Sequence, residues 1–111
     1  MQYQMEEQLY LICVYVPDTD TEKVKQAMFN AGAGDFGQYD QCCWQTQGTG
    51  QFRPLAHSNP SIGIHQQLTM VSETKIEIIC QQSRLKPSID ALKSSHPYEV
   101  PAYQIIPFSI L

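Results

Sequence analysis

The run His96-Pro97-Tyr98-Glu99 places an imidazole, a phenol and a carboxylate next to one another in the chain. A histidine and a glutamate this close can bind a divalent metal or a polar ligand. Imidazole nitrogen atoms and carboxylate oxygen atoms both coordinate metal ions and form hydrogen bonds. The structural alternative is that His96 interacts with the last carbonyls of a preceding helix, Pro97 stops that helix and Tyr98 packs. The sequence leaves both interpretations open.

A glycine-rich stretch, GTGQFRPLAHSNPSIG at residues 48–63, is the second candidate, and it contains Arg53. Such a stretch supplies backbone N–H groups and a cation that can hold an anion, or it forms a mobile hairpin. We therefore predict a ligand site made by His96, Tyr98, Glu99 and Arg53, with His96 and Glu99 as candidate metal ligands. No Ser-His-Asp or Cys-His spacing is recognisable, so no catalytic residue is predicted.

Residues 32–37, GAGDFG, match the pattern G-x-G-x-x-G literally. A dinucleotide site of that kind needs a strand before the glycines and a helix opening after them, so that the helix N-terminus meets the pyrophosphate. Here the glycines follow a helical pattern and lead into a loop. The pattern therefore does not predict a dinucleotide site.

Composition and charge exclude several classes of function. The chain has 7 basic and 11 acidic residues, a net charge of -4, and its basic residues are scattered. Nucleic acids and anionic membrane surfaces attract clustered Lys and Arg, so neither is an expected partner. The polar start lacks the features of a secretory signal, and the four cysteines are too few for a disulfide scaffold. We predict a cytoplasmic protein with reduced thiols.

The first half of the chain predicts a strand followed by a helix. Residues Gln8–Val16, QLYLICVYV, are apolar at both alternating sets of positions, as in a central strand covered on both faces. Thr19 and Glu22 have the spacing of a capping box, which predicts a helix start at Thr19. An apolar stripe at helical spacing follows, and Gly32 is placed to end the helix.

The second half predicts a hairpin, a strand, a helix and a last strand. Strand-like pieces at residues 41–47 and 51–55 flank Gly48-Thr49-Gly50, which we interpret as a hairpin turn or protruding loop. A strand is predicted over residues 68–80. The next helix is expected to open near Ser83, with Pro87 in its first turn, and to end before Pro97, and residues 100–108 form the last strand.

This order predicts an α+β fold, a ferredoxin-like βαββαβ antiparallel sheet with two helices on one face, spanning residues 1–111 as a single domain. Two helices can cover one face of the sheet and leave the other open. Since the first strand is apolar on both sides, its second side needs another cover. A partner subunit is the simplest one, which predicts an oligomer.

Several motifs together resemble a known family. They are AGAG at 31–34, FGQY at 36–39, GTGQFRP at 48–54, NPSIG at 59–63 and HPYE at 96–99. In this order they resemble the domain inserted in bacterial members of the Ngg1-interacting-factor family, which also occurs as free-standing YqfO-like proteins. The resemblance covers nearly the whole chain, and the stretch HPYEVP is similar to the corresponding end of CutA proteins.

The resemblance implies a PII-like or CutA-like fold that forms homotrimers. The dinuclear metal site of the larger family members belongs to flanking domains, so their hydrolase chemistry is not expected here. We therefore predict a non-enzymatic regulatory or small-ligand-sensing module with an unknown ligand or cofactor held between subunits. The alternatives are a CutA-like protein that binds divalent metal and a structural protein-interaction module.

Overall fold

The order of helices and strands in the structure, a computed structural model that describes residues 7–111, follows the predicted pattern. The elements are β1 (Leu9–Pro17), a 3-10 turn (Asp18–Asp20), α1 (Thr21–Asn30), β2 (Trp44–Phe52), β3 (Thr69–Gln81), α2 (Gln82–Ser95) and β4 (Tyr103–Phe108). The first six residues, which contribute to the expectation of no secretory signal, lie outside the described part. In residues 7–111, neither helix has the length and apolar character needed to cross a bilayer.

The four strands form one antiparallel sheet in the order β2-β3-β1-β4. β1 lies in its interior, with Ile12 opposite Ile78 of β3 on one side and Ile105 of β4 on the other. The prediction that the two-sided apolar strand is central is confirmed.

Both helices pack on the same face of this sheet. Ile12, Val14 and Val16 of β1 are fully buried there, because side chains that alternate along a strand share a face. The rest of this core comes from β3, the two helices and the loop after α1, namely Ile76, Ile78, Cys80, Val24, Met28, Ala33, Ile89 and Leu92. The predicted α+β, ferredoxin-like βαββαβ fold with two helices on one face is confirmed.

The opposite face of the sheet carries no helix from residues 7–111. Leu11 of β1 lies there in one row with Ile79 of β3 and Ile106 of β4. Ile106 keeps 45% of its surface exposed. We call this row the open-face row, and it places apolar side chains on a surface that residues 7–111 leave partly uncovered.

The start of α1 differs from the prediction, and its end agrees. Thr19 lies in the 3-10 turn and its hydroxyl is 3.3 Å from the Asp20 carboxylate, so the predicted capping box at Thr19 is wrong. The turn moves the helix start to Thr21. At the other end, Gly32 has φ +110 and its N–H bonds the Phe29 carbonyl, while the next N–H reaches Met28, which is a Schellman ending.

The hairpin also differs from the prediction. Gly48, Thr49 and Gly50 do not form a turn, because β2 runs through them without interruption and pairs with β3 from Trp44 to Phe52. The connection between the two strands is residues 53–68. Since β1 pairs with β3 only as far as Glu73, the outer ends of β2 and β3 form a two-stranded ribbon that extends beyond the sheet.

The position of Pro87 in α2 is the third difference. α2 begins at Gln82, directly after β3, so Pro87 lies in the second turn of the helix and not in the first. The predicted stop before Pro97 is correct, since α2 ends at Ser95. The direct junction of β3 and α2 fixes where the C-terminal end of α2 lies, and the candidate site is built there.

Candidate functional site

A cleft of about 340 Å³ lies between the base of the two-stranded ribbon and the connection from α2 to β4. The ribbon contributes Gly50, Phe52 and Glu73, and the connection contributes Tyr98 and Glu99. Loop 53–68 closes one side with proline and isoleucine side chains. The cleft therefore combines apolar walls with a few polar groups, as small-molecule sites do.

The floor of the cleft is a pair formed by Glu73 and Tyr98. The Tyr98 hydroxyl donates to Glu73 Oε2 at 2.6 Å, and Glu73 is only 9% exposed. The Phe52 ring meets the Tyr98 ring edge-on, with centroids 5.9 Å apart. Burial, followed by the bond to Glu73 and its charge, raises the pKa of Tyr98, so its hydroxyl stays protonated and acts as a donor.

His96 supports Tyr98 from behind the cleft and does not line it. Its Nε2 donates to the Tyr15 carbonyl at 2.7 Å, and its Nδ1 accepts from the Tyr98 N–H at 3.1 Å. These two bonds define the tautomer, because a carbonyl only accepts and an N–H only donates. Burial lowers the pKa of His96 even though the bond to Tyr15 opposes this shift, so the ring is held neutral.

His96 has a structural role, but its ring does not contact the end of α2 as the structural alternative expected. Its ring bonds β1 and not the last carbonyls of α2, although its backbone N–H does bond the Leu92 carbonyl. The ring orients Tyr98 toward Glu73, so His96 acts on the cleft indirectly.

Glu99 and Arg53 occupy different places at the cleft. Glu99 lines it, and its Oε1 accepts the Asn59 N–H at 2.9 Å, which ties loop 53–68 to the α2–β4 connection. Arg53 is exposed and does not line the cleft, although Phe52 and Pro54 on either side of it do. The structure thus brings Tyr98 and Glu99 together, with His96 behind them and Arg53 outside.

Glu73 and Gly50 are the site residues that the sequence reasoning missed. A Cβ on Gly50 would collide with the carboxylate of Glu73, so the glycine leaves the space that this carboxylate occupies. No local motif marks either residue. The alternation of β3 could have shown that Glu73 shares a face with Lys75 and Glu77, but its burial depends on Tyr98, far along the chain.

Metal binding by His96 and Glu99 stays a prediction, and the geometry does not favour it. Both ring nitrogens of His96 already have partners. Among residues 7–111, no three His, Cys, Asp or Glu side chains lie close enough together to hold a metal ion. Binding would have to break the bonds of His96 or recruit ligands from a second chain.

Solved structures with the same architecture include CutA from Xylella fastidiosa, with a TM-score of 0.66 and 18% identity over 92% of this chain and 85% of that one. The GlnK-ATP complex of Bacillus subtilis has a TM-score of 0.62 and 13% identity over 92% of this chain and 83% of that one. At these identities the similarity shows the fold alone. The chain thus has a ferredoxin-like fold of the PII/CutA-like type.

Closer relatives are longer proteins. The "GTP cyclohydrolase 1 type 2 homolog" of Halalkalibacterium halodurans is 42% identical over 103 residues, which are 93% of this chain and 28% of that protein. The structure of the Bacillus cereus protein related to NIF3 has a TM-score of 0.79 and 36% identity over 92% of this chain and 26% of that one. No family model matches. The chain therefore matches a segment of NIF3-related proteins, in agreement with the resemblance to the YqfO-like domain of the Ngg1-interacting-factor family, and it spans about a quarter of the length of these relatives.

The neutral His96 makes stability depend on pH. Since its pKa in the folded state lies below the ordinary value of 6.5, the unfolded chain takes up a proton there more readily. The stabilisation that the neutral His96 ring gives to the folded state is complete above pH 6.5, and it is lost as the pH falls toward the pKa of His96 in the folded state. We expect this loss to reach up to about 1.4 kcal/mol per pH unit, measured by urea unfolding at a series of pH values.

His96→Gln is the matching variant, because an amide can donate to Tyr15 and accept from Tyr98 without titrating. It should remove this part of the pH dependence. His57→Gln, at an exposed loop position, should keep the wild-type slope. An identical slope in the wild type and in His96→Gln would contradict the assignment.

Two glycines of β2 provide a test of the cleft floor. Gly50→Ala should lower the free energy of unfolding by about 1–3 kcal/mol, because its Cβ displaces the Glu73 carboxylate that Tyr98 holds. Gly48→Ala should be neutral or stabilise by up to about 1 kcal/mol, since its Cβ would enter open space. Urea unfolding measures both. Equal stability of the two variants would show that the carboxylate is not fixed.

Proposed function

We propose that this chain is a non-enzymatic, oligomeric regulatory or small-ligand-sensing module of the PII/CutA-like type, and that its ligand binds in the cleft floored by Glu73 and Tyr98. The observation that carries this proposal is the cleft itself. Its volume of about 340 Å³ is within the usual range of small-molecule sites, roughly 300–1,000 Å³. Tyr98 is held in place by His96 and Glu99 by the Asn59 N–H, and such fixed polar groups favour selective binding over loose adsorption.

The directions of the two pKa shifts support binding more than catalysis. The raised pKa of Tyr98 keeps the phenol protonated, so it is a poor base. The lowered pKa of His96 keeps the imidazole neutral, but both of its nitrogens are engaged in hydrogen bonds and neither faces the cleft. A general base must reach the proton that it removes, and neither group has that freedom.

The name of the longer relatives refers to a GTP cyclohydrolase homolog, and the matched segment is about a quarter of those proteins. We propose that any hydrolase activity of such proteins resides outside the segment that this chain matches. The GlnK structure was solved as an ATP complex, which makes nucleotides the first ligands to test here.

The proposed oligomer is a homotrimer assembled through the open-face row. Leu11, Ile79 and Ile106 form a continuous apolar row on a sheet face without helices, and burying such a surface favours association. Arg53 stays a predicted ligand residue that lies exposed outside the cleft of its own chain. The proposed setting is the cytoplasm, with a small molecule or metal as ligand and neither nucleic acid nor membrane as partner.

A panel of ligands separates the proposed functions. We expect a ligand of the cleft to raise the melting temperature, since a ligand at a hundredfold excess over its Kd stabilises the folded state by about 2.7 kcal/mol. Tyr98→Phe should reduce that shift, and Lys86→Gln, on the exposed surface of α2, should not.

The other outcomes of the panel favour the alternatives. A shift with Cu²⁺ or Mg²⁺ that His96→Ala abolishes would favour the CutA-like metal-binding protein. No shift with any nucleotide or metal would favour the structural interaction module.

The assembly is tested by light scattering at micromolar concentration. We expect a mass three times the 12.6 kDa of one chain. Ile106→Glu should reduce the mass toward that of a monomer, because it places a charge in the open-face row. Ile105→Glu is the matched control on the other face of β4, where 38% of the side chain is exposed, and should keep the trimer mass. A monomeric wild type would contradict the proposed assembly.

A further inference from the structure

The carboxylate of Glu73 lacks a positive partner. One of its oxygens accepts from Tyr98, and no donor to the other is found among residues 7–111. The two ion pairs of this part of the chain, Lys25–Glu22 and Lys86–Asp90, lie elsewhere on the helices. Because a buried carboxylate with one neutral partner is poorly compensated, it favours a cation beside it.

This carboxylate belongs to the cleft. Glu73 is 9% exposed and is part of the cleft wall, beside Gly50, whose missing Cβ gives it room. No Lys, Arg or His side chain of residues 7–111 lines the cleft. Glu99 adds a second carboxylate at the rim.

Lys75 is the basic residue nearest to Glu73 along β3. The two residues lie on one face of the strand and share a neighbouring cavity of about 240 Å³ on the open face of the sheet. They do not form an ion pair. Lys75 does not line the larger cleft, so the Glu73 carboxylate remains available to a ligand there.

The remaining walls are apolar. Phe52 and Tyr98 supply an aromatic pair, and Ile62 and Val100 supply aliphatic surface. Metal ions need more oxygen ligands or a nitrogen and sulfur set, and no cluster of three such residues occurs in residues 7–111. An organic cation needs only one carboxylate and can use the apolar walls for the rest of its surface.

We propose that the cleft binds a primary ammonium compound with an apolar or aromatic body, with the ammonium against the free oxygen of Glu73 and the body against Phe52 and Ile62. This inference rests on the proposed function, because it names the ligand class of the same cleft. Glu99 at the rim attracts the same charge, and the Tyr98 hydroxyl keeps the Glu73 carboxylate oriented.

Three probes of similar shape test the charge requirement: 2-phenylethylammonium, 2-phenylethanol and 3-phenylpropionate. In calorimetric titrations of the full chain, we expect the ammonium compound to bind about tenfold or more tightly than the alcohol, and the carboxylate not to bind. Equal affinity of the ammonium compound and the alcohol would overturn the inference, and this comparison needs no variant.

Glu73→Gln keeps the shape of the side chain and removes its charge. We expect it to raise the Kd of 2-phenylethylammonium about tenfold and to leave that of 2-phenylethanol unchanged. Lys75→Gln is the matched control on the same strand and should keep the wild-type Kd. An unchanged Kd in a folded Glu73→Gln variant, verified by circular dichroism, would contradict the proposal.

Different binding results would contradict the ammonium ligand class and the ligand-sensing function. If ATP or another nucleotide binds and 2-phenylethylammonium does not, the ammonium class is wrong and the ligand-sensing function stands. If neither the ammonium compound nor any nucleotide or metal binds, both are wrong.

Discussion

The fold depends on one strand that is apolar on both faces. β1 lies between β3 and β4, so its side chains need cover above and below the sheet. The two helices cover the side of Ile12, Val14 and Val16. The side of Leu11 has its neighbours in the sheet beside it and no helix from residues 7–111 over it. The right-handed crossovers β1-α1-β2 and β3-α2-β4 then place both helices on the same face.

The cleft depends on pairings that are distant in sequence. The register of β2 on β3 sets Gly50 against the space of the Glu73 carboxylate, and the direct junction of β3 with α2 carries the chain back to Tyr98. His96 then joins this region to β1 through the Tyr15 carbonyl. These contacts hold the Tyr98 hydroxyl against one oxygen of the buried Glu73 carboxylate.

The sequence predicted the strands and helices well where the pattern was strong and local. The two-sided pattern of β1, the ending at Gly32 and the stop before Pro97 are all confirmed. Gly48-Thr49-Gly50 was wrongly predicted as a turn, because glycine favours turns locally and the pairing with β3 overrides that preference.

The site was predictable only in part. Tyr98 and Glu99 could be found because their types stand out in a short run, and both line the cleft. His96 was recognised as a residue of interest, but the direction of its ring depends on a carbonyl of β1 far away in sequence. Glu73 carries no signal of its own, since its burial results from contacts between strands and the α2–β4 connection.

The ribbon formed by the outer ends of β2 and β3 has a mechanical consequence. Two strands without a third neighbour bend more easily than a four-stranded sheet, and this two-stranded part begins where β1 stops pairing with β3 at Glu73. The bond from Asn59 to Glu99 braces its loop against the body of the domain. Together with the contact between the Phe52 and Tyr98 rings, this bond limits how far the ribbon can bend away from the α2–β4 connection.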